Sequence, residues 1–268
     1  MRINTNISSL KTMNFLRQNN NELEKAMEKL SSGKRINSAG DDAAGLAIAT
    51  RMDAAVRGMD VAKRNAQDGI SLIQTAESAQ GTISSLLQRL RELAVQADND
   101  TNNTEDKASL QDELDELVKE IDHIAQNTTF NGISLLNGSG SVQLHISNIE
   151  NDTVSVSTFD VTASALSVDS LSLDGGAQAA ISAIDAALDT VSGNRAELGA
   201  MQSRLNFVID NLNVNQNNLT SAKSRIEDAD MASEMSTLTK QRVLTQSSMA
   251  MLQQANQNPQ QILQLLQG

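Results

Sequence analysis

The sequence predicts a mainly α protein: an elongated antiparallel helical bundle or coiled-coil rod, with a small central β-hairpin region and paired terminal helices. Three observations predict it. Apolar residues recur at alternating steps of three and four through both halves of the 268-residue chain, the seam of helices that pack on helices. Four Phe are the only aromatics, so the core must be aliphatic, which suits long packed helices better than ring-lined pockets. Only between Phe130 and about residue 175 does the period change to alternation, the pattern of short strands.

Charge and composition narrow the function. The net charge is −12, and residues 99–180 carry all the excess acid while both ends are nearly balanced. An acidic centre repels nucleic acid and favours solvent, so no nucleic-acid partner is expected and the balanced ends are expected to face protein. The absence of Cys excludes disulfides, thiolate metal sites and Cys nucleophiles. MRINTNISSLKTMNF has neither the apolar core nor the small-residue cleavage pattern of a signal peptide, so if the protein leaves the cell a route other than a cleaved secretory signal must take it.

In chain order, Ile3, Ile7, Leu10, Met13, Leu16, Leu23, Met27 and Leu30 step by three and four, with Asn20 filling one gap. They predict a helix that wants a partner. It stops at Gly33, and Gly33, Gly40 and Gly45 punctuate a linker. A phosphate loop at Gly33-Lys34 is excluded because the upstream glycine of that pattern is missing. A second helix is predicted from Leu46 to about Gln96. Its fifty residues span roughly 75–80 Å, longer than the diameter of about 50 Å of a compact globule this size. Either Gly58, Gly69 and Gly81 break it or the molecule is a rod, and the unbroken apolar phase favours the rod.

The polar turn DNDTNNTED at residues 98–106 fails as a calcium loop, having Asn103 where Gly is needed and Ser109 where the bidentate Glu belongs. It suits a helix start instead, with Asn103 or Thr104 as N-cap and Glu105 and Asp106 at the positive end of the dipole. Leu110, Leu114, Leu117, Ile121 and Ile124 mark that helix, whose acids form a solvated face. Asn131-Gly132 and Asn137-Gly138 are turn signals, and Val142, Leu144, Ile146, Val154 and Val156 alternate as strands do. His123 and His145 have no third ligand at a metal-site spacing and are expected to be ordinary surface or packing residues. A long helix returns over Ile181 to Ile226.

The last helix is unusual. Met231, Met235, Leu238, Met249, Leu252, Leu263 and Leu266 form a seam, and no residue after Arg242 is charged. Val243, Leu244, Met251, Ile262 and Leu265 lie off that seam, so the apolar arc is wider than one partner covers. Enclosure by several neighbouring helices is expected, with the amides satisfied among them. Interleaved Gln and Pro259 exclude a membrane span, and the lack of Lys and Arg excludes a membrane-surface helix. Pro259 is expected to kink or interrupt the helix. The domains expected are residues 1–45, a rod over 46–222 with its hairpin insert near 131–175, and residues 223–268.

Several segments resemble bacterial flagellin: LSSGKRINSAGDDAAGLAI at 30–48, RNAQDGIS at 64–71, QTAE at 74–77, LQRLRELAVQ at 87–96, Phe130-Asn131-Gly132, SRIEDAD at 224–230 and QANQNPQ at 254–260. The similarity covers about residues 1–138 and 180–268, and residues 139–179 correspond to a short variable centre. Lys34 and the ending Gln267-Gly268 depart from the usual pattern.

The resemblance implies a subunit that polymerises helically into the extracellular flagellar filament after type III export. The terminal helices would form an inner tube and the 46–222 rod an outer one, with subunit contacts at Ile3, Ile7, Leu10, Leu23, Met27, Leu30, Met235, Leu238, Met249, Leu252, Leu263 and Leu266. It implies other copies of the chain, an export chaperone on the C-terminal helix, the hook junction and the distal cap as partners. In some members a host Toll-like receptor reads the surface corresponding to Gln88, Arg89, Leu93 and Glu113, although Leu93 also fits a packing role. No HExxH occurs, and neither an enzyme nor a cofactor is expected. The terminal segments are expected to be disordered when free and helical in the filament. A hook-filament junction subunit is the alternative within the same class, and a soluble signalling or adhesin rod the alternative outside it.

Overall fold

The computed structural model describes residues 6–147, 152–174 and 176–267, excepting the side chains of 258–267. The described chain runs α1 (Ile7–Ser32), α2 (Ala43–Ala97), α3 (Thr104–Asn127), β1 (Thr129–Phe130), β2 (Ile133–Ser134), β3 (Asn137–His145), β4 (Thr153–Asp160), α4 (Ala177–Glu227) and α5 (Met231–Gln267). It is mainly α, as the periodicity requires. None of the helices, among the described residues, is long and apolar enough to cross a membrane.

The chain divides into two compact units, one of residues 1–56 with 217–268 and one of residues 57–216. These boundaries fall inside α2 and α4, eleven residues beyond the linker end expected at residue 45 on the N-terminal side. A helix can pass from one packing environment to another without a break, so linker composition does not mark the division.

In the unit of residues 57–216, α2 and α4 are antiparallel, because their contacts run in opposite sequence order. Asp60 accepts from Gln216 Nε2 at 2.8 Å, Lys63 donates to Asn213 at 2.9 Å, and Arg91 pairs with Asp185 at 2.7 Å. Helix α2 runs unbroken through Gly58, Gly69 and Gly81. Gly69 has a packing reason: a Cβ there would lie 2.2 Å from Leu144 Cδ1 and 3.3 Å from Leu205 Cδ1, so the bare backbone admits β3 against α2. Gly81 has open space around it.

Helix α3 starts at Asn103, which forms a capping box with Asp106: Asn103 Oδ1 accepts from Asp106 N at 2.7 Å, and Asp106 Oδ2 accepts from Asn103 N at 3.3 Å. Two orphan helix donors are thereby satisfied. Asn131 and Gly132 take φ of 50° and 80° and turn β1 into β2, the left-handed pair an Asn-Gly hairpin needs. The second Asn-Gly does not turn. Asn137 and Gly138 lie in β3, where the register with β4 shifts between Asn137 and Gly140, so the glycines relax a bulge instead.

Val154 and Val156 of β4 are buried as the alternation predicts. Side chains fasten this hairpin to the helices: Asn65 donates to His145 O at 2.8 Å and Ser157 to Glu197 at 3.0 Å. The polar-looking segment after β4 is more structural than its Ser and Asp content suggests. Val161, Ala163, Leu166, Val168 and Leu173 are buried in the core, while Asp122 accepts from Ala163 N at 2.7 Å and Gln111 from Leu173 N at 2.9 Å.

Candidate assembly interface

In the unit of residues 1–56 and 217–268, α1 and α5 pair antiparallel. Asn6 is the N-cap of α1, its Oδ1 accepting from Ser9 N at 3.1 Å. Gly33 ends the helix in the left-handed region at φ 71°, donating its N–H to Lys29 O at 2.9 Å, a conformation glycine adopts without strain. The chain then pairs with the stretch between α4 and α5. Lys34 bridges Asp228, Arg35 N donates to Glu227 O at 2.6 Å, Arg35 Nη2 to Ile226 O at 2.6 Å, and Ala229 N to Gly33 O at 3.0 Å. Glu227 is nearly buried and gathers two ammonium groups, Lys34 and Lys223, while Lys223 also pairs with Asp53. Asp42 caps α2 by accepting from Gly45 N at 2.8 Å. A Cβ on Gly45 would fall 2.5 Å from Asp42 Oδ2 and 2.7 Å from Ile36 Cδ1. The glycine-punctuated linker is therefore a splice that fixes where α1 and α5 begin their run together.

Along that run the inward faces differ from those the apolar spacing suggests. On α1 the half-buried or buried positions are Ser9, Thr12, Leu16, Asn19, Leu23, Ala26, Lys29 and Leu30. On α5, as far as side chains are described, they are Glu234, Thr237, Leu238, Gln241, Thr245, Ser248, Leu252 and Ala255. Lys29 and Thr237 aside, both sets keep the three-four alternation of a packing seam. Each shares only every second position with the predicted one. Leu23, Leu30, Leu238 and Leu252 lie on these inward faces. Ile7, Leu10 and Met27, and on α5 Met235 and Met249, point outward instead and are each 43–54% exposed. Ile3 and the side chains of Leu263 and Leu266 lie outside the described residues.

The shift has a physical cause. Small and polar residues let two helices approach closely and bond across the seam: Asn19 Nδ2 donates to Ser248 Oγ at 3.1 Å, Ser9 Oγ to Asn256 Oδ1 at 2.8 Å, and Lys29 pairs with Glu234 at 3.7 Å. Where an apolar arc is wider than one partner, its centre need not be the contact line. The pair consequently presents Ile7, Leu10, Met13, Phe15 and Met27 from α1 and Met231, Met235, Val243, Leu244, Met249 and Met251 from α5 as exposed large apolar side chains. Helix α5 also continues to Gln267 without interruption at Pro259, contrary to one of the two outcomes its sequence suggested.

The proposed receptor-facing residues separate. Gln88, Arg89 and Glu113 are exposed, and Arg89 donates from Nη2 and Nε to Glu113 Oε1 at 2.7 and 3.1 Å and from Nη1 to Glu92 at 3.0 Å. These hydrogen bonds, Glu113's first, raise the guanidinium's pKa further above its ordinary value. Leu93 is only 1% exposed and belongs to the core with Leu90 and Leu114. Residues 89 and 93 are one helical turn apart, but the small angular offset of four residues carries position 93 under α3. No group of three or more His, Cys, Asp or Glu residues able to hold a metal ion occurs among the described residues.

Comparison with known proteins bears on this arrangement. A family profile described as the bacterial flagellin N-terminal helical region matches residues 3–141, and one described as the bacterial flagellin C-terminal helical region matches 181–266. A flagellin of Halalkalibacterium halodurans is 49% identical over 271 residues, spanning 99% of this chain and 100% of that one. A flagellin of Bacillus subtilis is 46% identical over 305 residues with the same coverage. Among solved structures, Bacillus cereus flagellin aligns with a TM-score of 0.50 at 36% identity, over 56% of this chain and 88% of that one. A putative flagellar hook-associated protein of Vibrio parahaemolyticus aligns at 0.60 over 70% of this chain and all of that one. At 14% identity the latter is a likeness of fold alone.

Proposed function

The chain belongs to the bacterial flagellin family and is a structural subunit of the flagellar filament, not an enzyme, and from that premise we propose that its α1–α5 pair is the polymerising element. The observation that carries this is the outward apolar stripe. Once paired, α1 and α5 still expose eleven large apolar side chains among the described residues. Burying the exposed half of each contributes on the order of 1 kcal/mol. An uncharged helix surface beyond Arg242 adds no desolvation cost of ionic groups to that gain. The occupant of the stripe is the same stripe on neighbouring copies.

A charge placed in the stripe tests this. Met249 is 45% exposed and is not one of the half-buried seam positions of α5, so Met249→Asp spares the residues that meet α1 while an unpaired carboxylate would cost several kcal/mol on burial between copies. In seeded sedimentation the variant should fail to elongate at concentrations where the wild type does, with an unchanged melting transition for the 57–216 unit. Normal filaments from this variant would sink the assignment.

The remaining partners follow from the same surface. The export chaperone would cover the α5 stripe before assembly, and the hook junction and distal cap would engage it at the filament ends after type III export. A host Toll-like receptor would have Gln88, Arg89 and Glu113 to read on α2 and α3. Loss of chaperone binding on Met249→Asp, and of receptor activation on Arg89→Ala, are the direct checks.

A further inference from the structure

We infer that Asn6 is the positioning residue that lets α5 continue through Pro259, and that it thereby sets the register of the terminal pair; this rests on the filament function proposed above. A proline within a helix cannot donate to the carbonyl four residues earlier, and such a break costs about 3 kcal/mol or more. For Pro259 that carbonyl is Ala255 O. The chain's only proline nevertheless lies inside α5, which runs on to Gln267. Asn6 Nδ2 donates to Ala255 O at 2.8 Å, supplying the hydrogen bond the proline withholds.

The same side chain holds α1 at its start. Asn6 Oδ1 accepts from Ser9 N at 3.1 Å as the N-cap, and Ser9 Oγ reaches Asn256 Oδ1 at 2.8 Å. The Asn6 amide carries an acceptor and a donor on separate atoms, so one short side chain can cap α1 and reach α5 together. Asp would keep the cap and lose the donor, and Ser would keep the cap but is too short to span to α5. The juxtaposition also carries register information. Exchange of the partner carbonyl for Ala255's neighbours would meet carbonyls already bonded within α5, so a slip of the helices loses the contact. The proline marks one carbonyl, and Asn6 finds it.

A double-mutant cycle on the full-length chain tests the coupling. Asn6→Ser retains a good cap and removes the donor, whereas Pro259→Ala restores the backbone N–H and makes the donor unnecessary. Two readouts are taken for wild type, both single variants and the double variant: the critical concentration for seeded elongation, and amide exchange over residues 250–257. With Pro259 present, Asn6→Ser should raise the critical concentration about five- to tenfold and accelerate exchange to a similar degree, the loss of roughly one net hydrogen bond. With Pro259→Ala the same substitution should change either quantity less than twofold. Equal effects in both backgrounds, or no effect in either, would overturn the inference. A wild-type chain that fails to elongate seeds would count against the filament function instead, and the exchange data would then still decide the role of Asn6.

Discussion

Gln80 is fully buried, and neither its Oε1 nor its Nε2 has a hydrogen-bond partner among the described residues. An unpaired buried amide carries its full desolvation penalty. Gln80→Met, which keeps the length of the side chain and removes its polar atoms, should stabilise the 57–216 unit by about 1–3 kcal/mol in urea unfolding; a destabilised variant would mean the amide is satisfied in solution. Asp41 shows the opposite situation. Its Oδ2 accepts from Ser38 N and Ser38 Oγ, each at 3.0 Å, and from Asn37 N at 3.2 Å, and these bonds hold its carboxyl below the ordinary aspartate range. A depressed folded-state pKa stabilises the linker above the unfolded value, and that contribution is lost as pH falls through the folded one. Carboxyl-carbon NMR should therefore give Asp41 a midpoint below that of an ordinary aspartate. A midpoint at or above it contradicts the hydrogen-bonded linker.

At the scale of elements, helix existence and extent were legible because long runs of three-four spacing leave little ambiguity. The helix expected over residues 46–96 is found as Ala43–Ala97, and that expected over 181–226 as Ala177–Glu227. The cap of α3 was legible to within one residue, Asn103 or Thr104, since cap chemistry is local, and the structure has Asn103. Contact lines were not legible in the same way. The apolar stripe of each terminal helix points to the surface that most needs cover, and the partner helix of the same chain covers only part of it. Ser9, Asn19, Gln241 and Ser248, which mark the true seam, carry no apolar signal. The buried Leu166, Val168 and Leu173 were hidden for a related reason: short apolar residues amid Ser and Asp have no period. Leu93 was placed on a surface by resemblance although its step from Leu90 and Leu87 puts it on the core face. Gly81 offers an element-scale test, because a Cβ there meets nothing within 4 Å and α2 is continuous through it. Gly81→Ala should raise the stability of the 57–216 unit by about 1 kcal/mol in the same urea assay, and a loss would reveal close packing at that backbone.

At the scale of the whole molecule, charge and apolar surface are assigned to different parts of the sequence. The excess acid lies in residues 99–180, within the 57–216 unit, whose large apolar side chains are mostly in one core cluster. The terminal segments are nearly neutral and leave their apolar side chains outside. A chain divided in this way stays soluble through its middle and associates through its ends. On the proposed function, assembly would complete the burial that α1 and α5 begin. Methionine oxidation followed by mass spectrometry reads this most directly, because Met235, Met249 and Met251, each 45–62% exposed, report on the stripe, while half-buried Met59 and Met201 report on the other unit. In filaments the first three should be oxidised at least tenfold more slowly than in the free chain, with smaller changes at Met59 and Met201. Equal oxidation of Met235, Met249 and Met251 in filament and free chain would contradict the claim that this stripe joins the subunits.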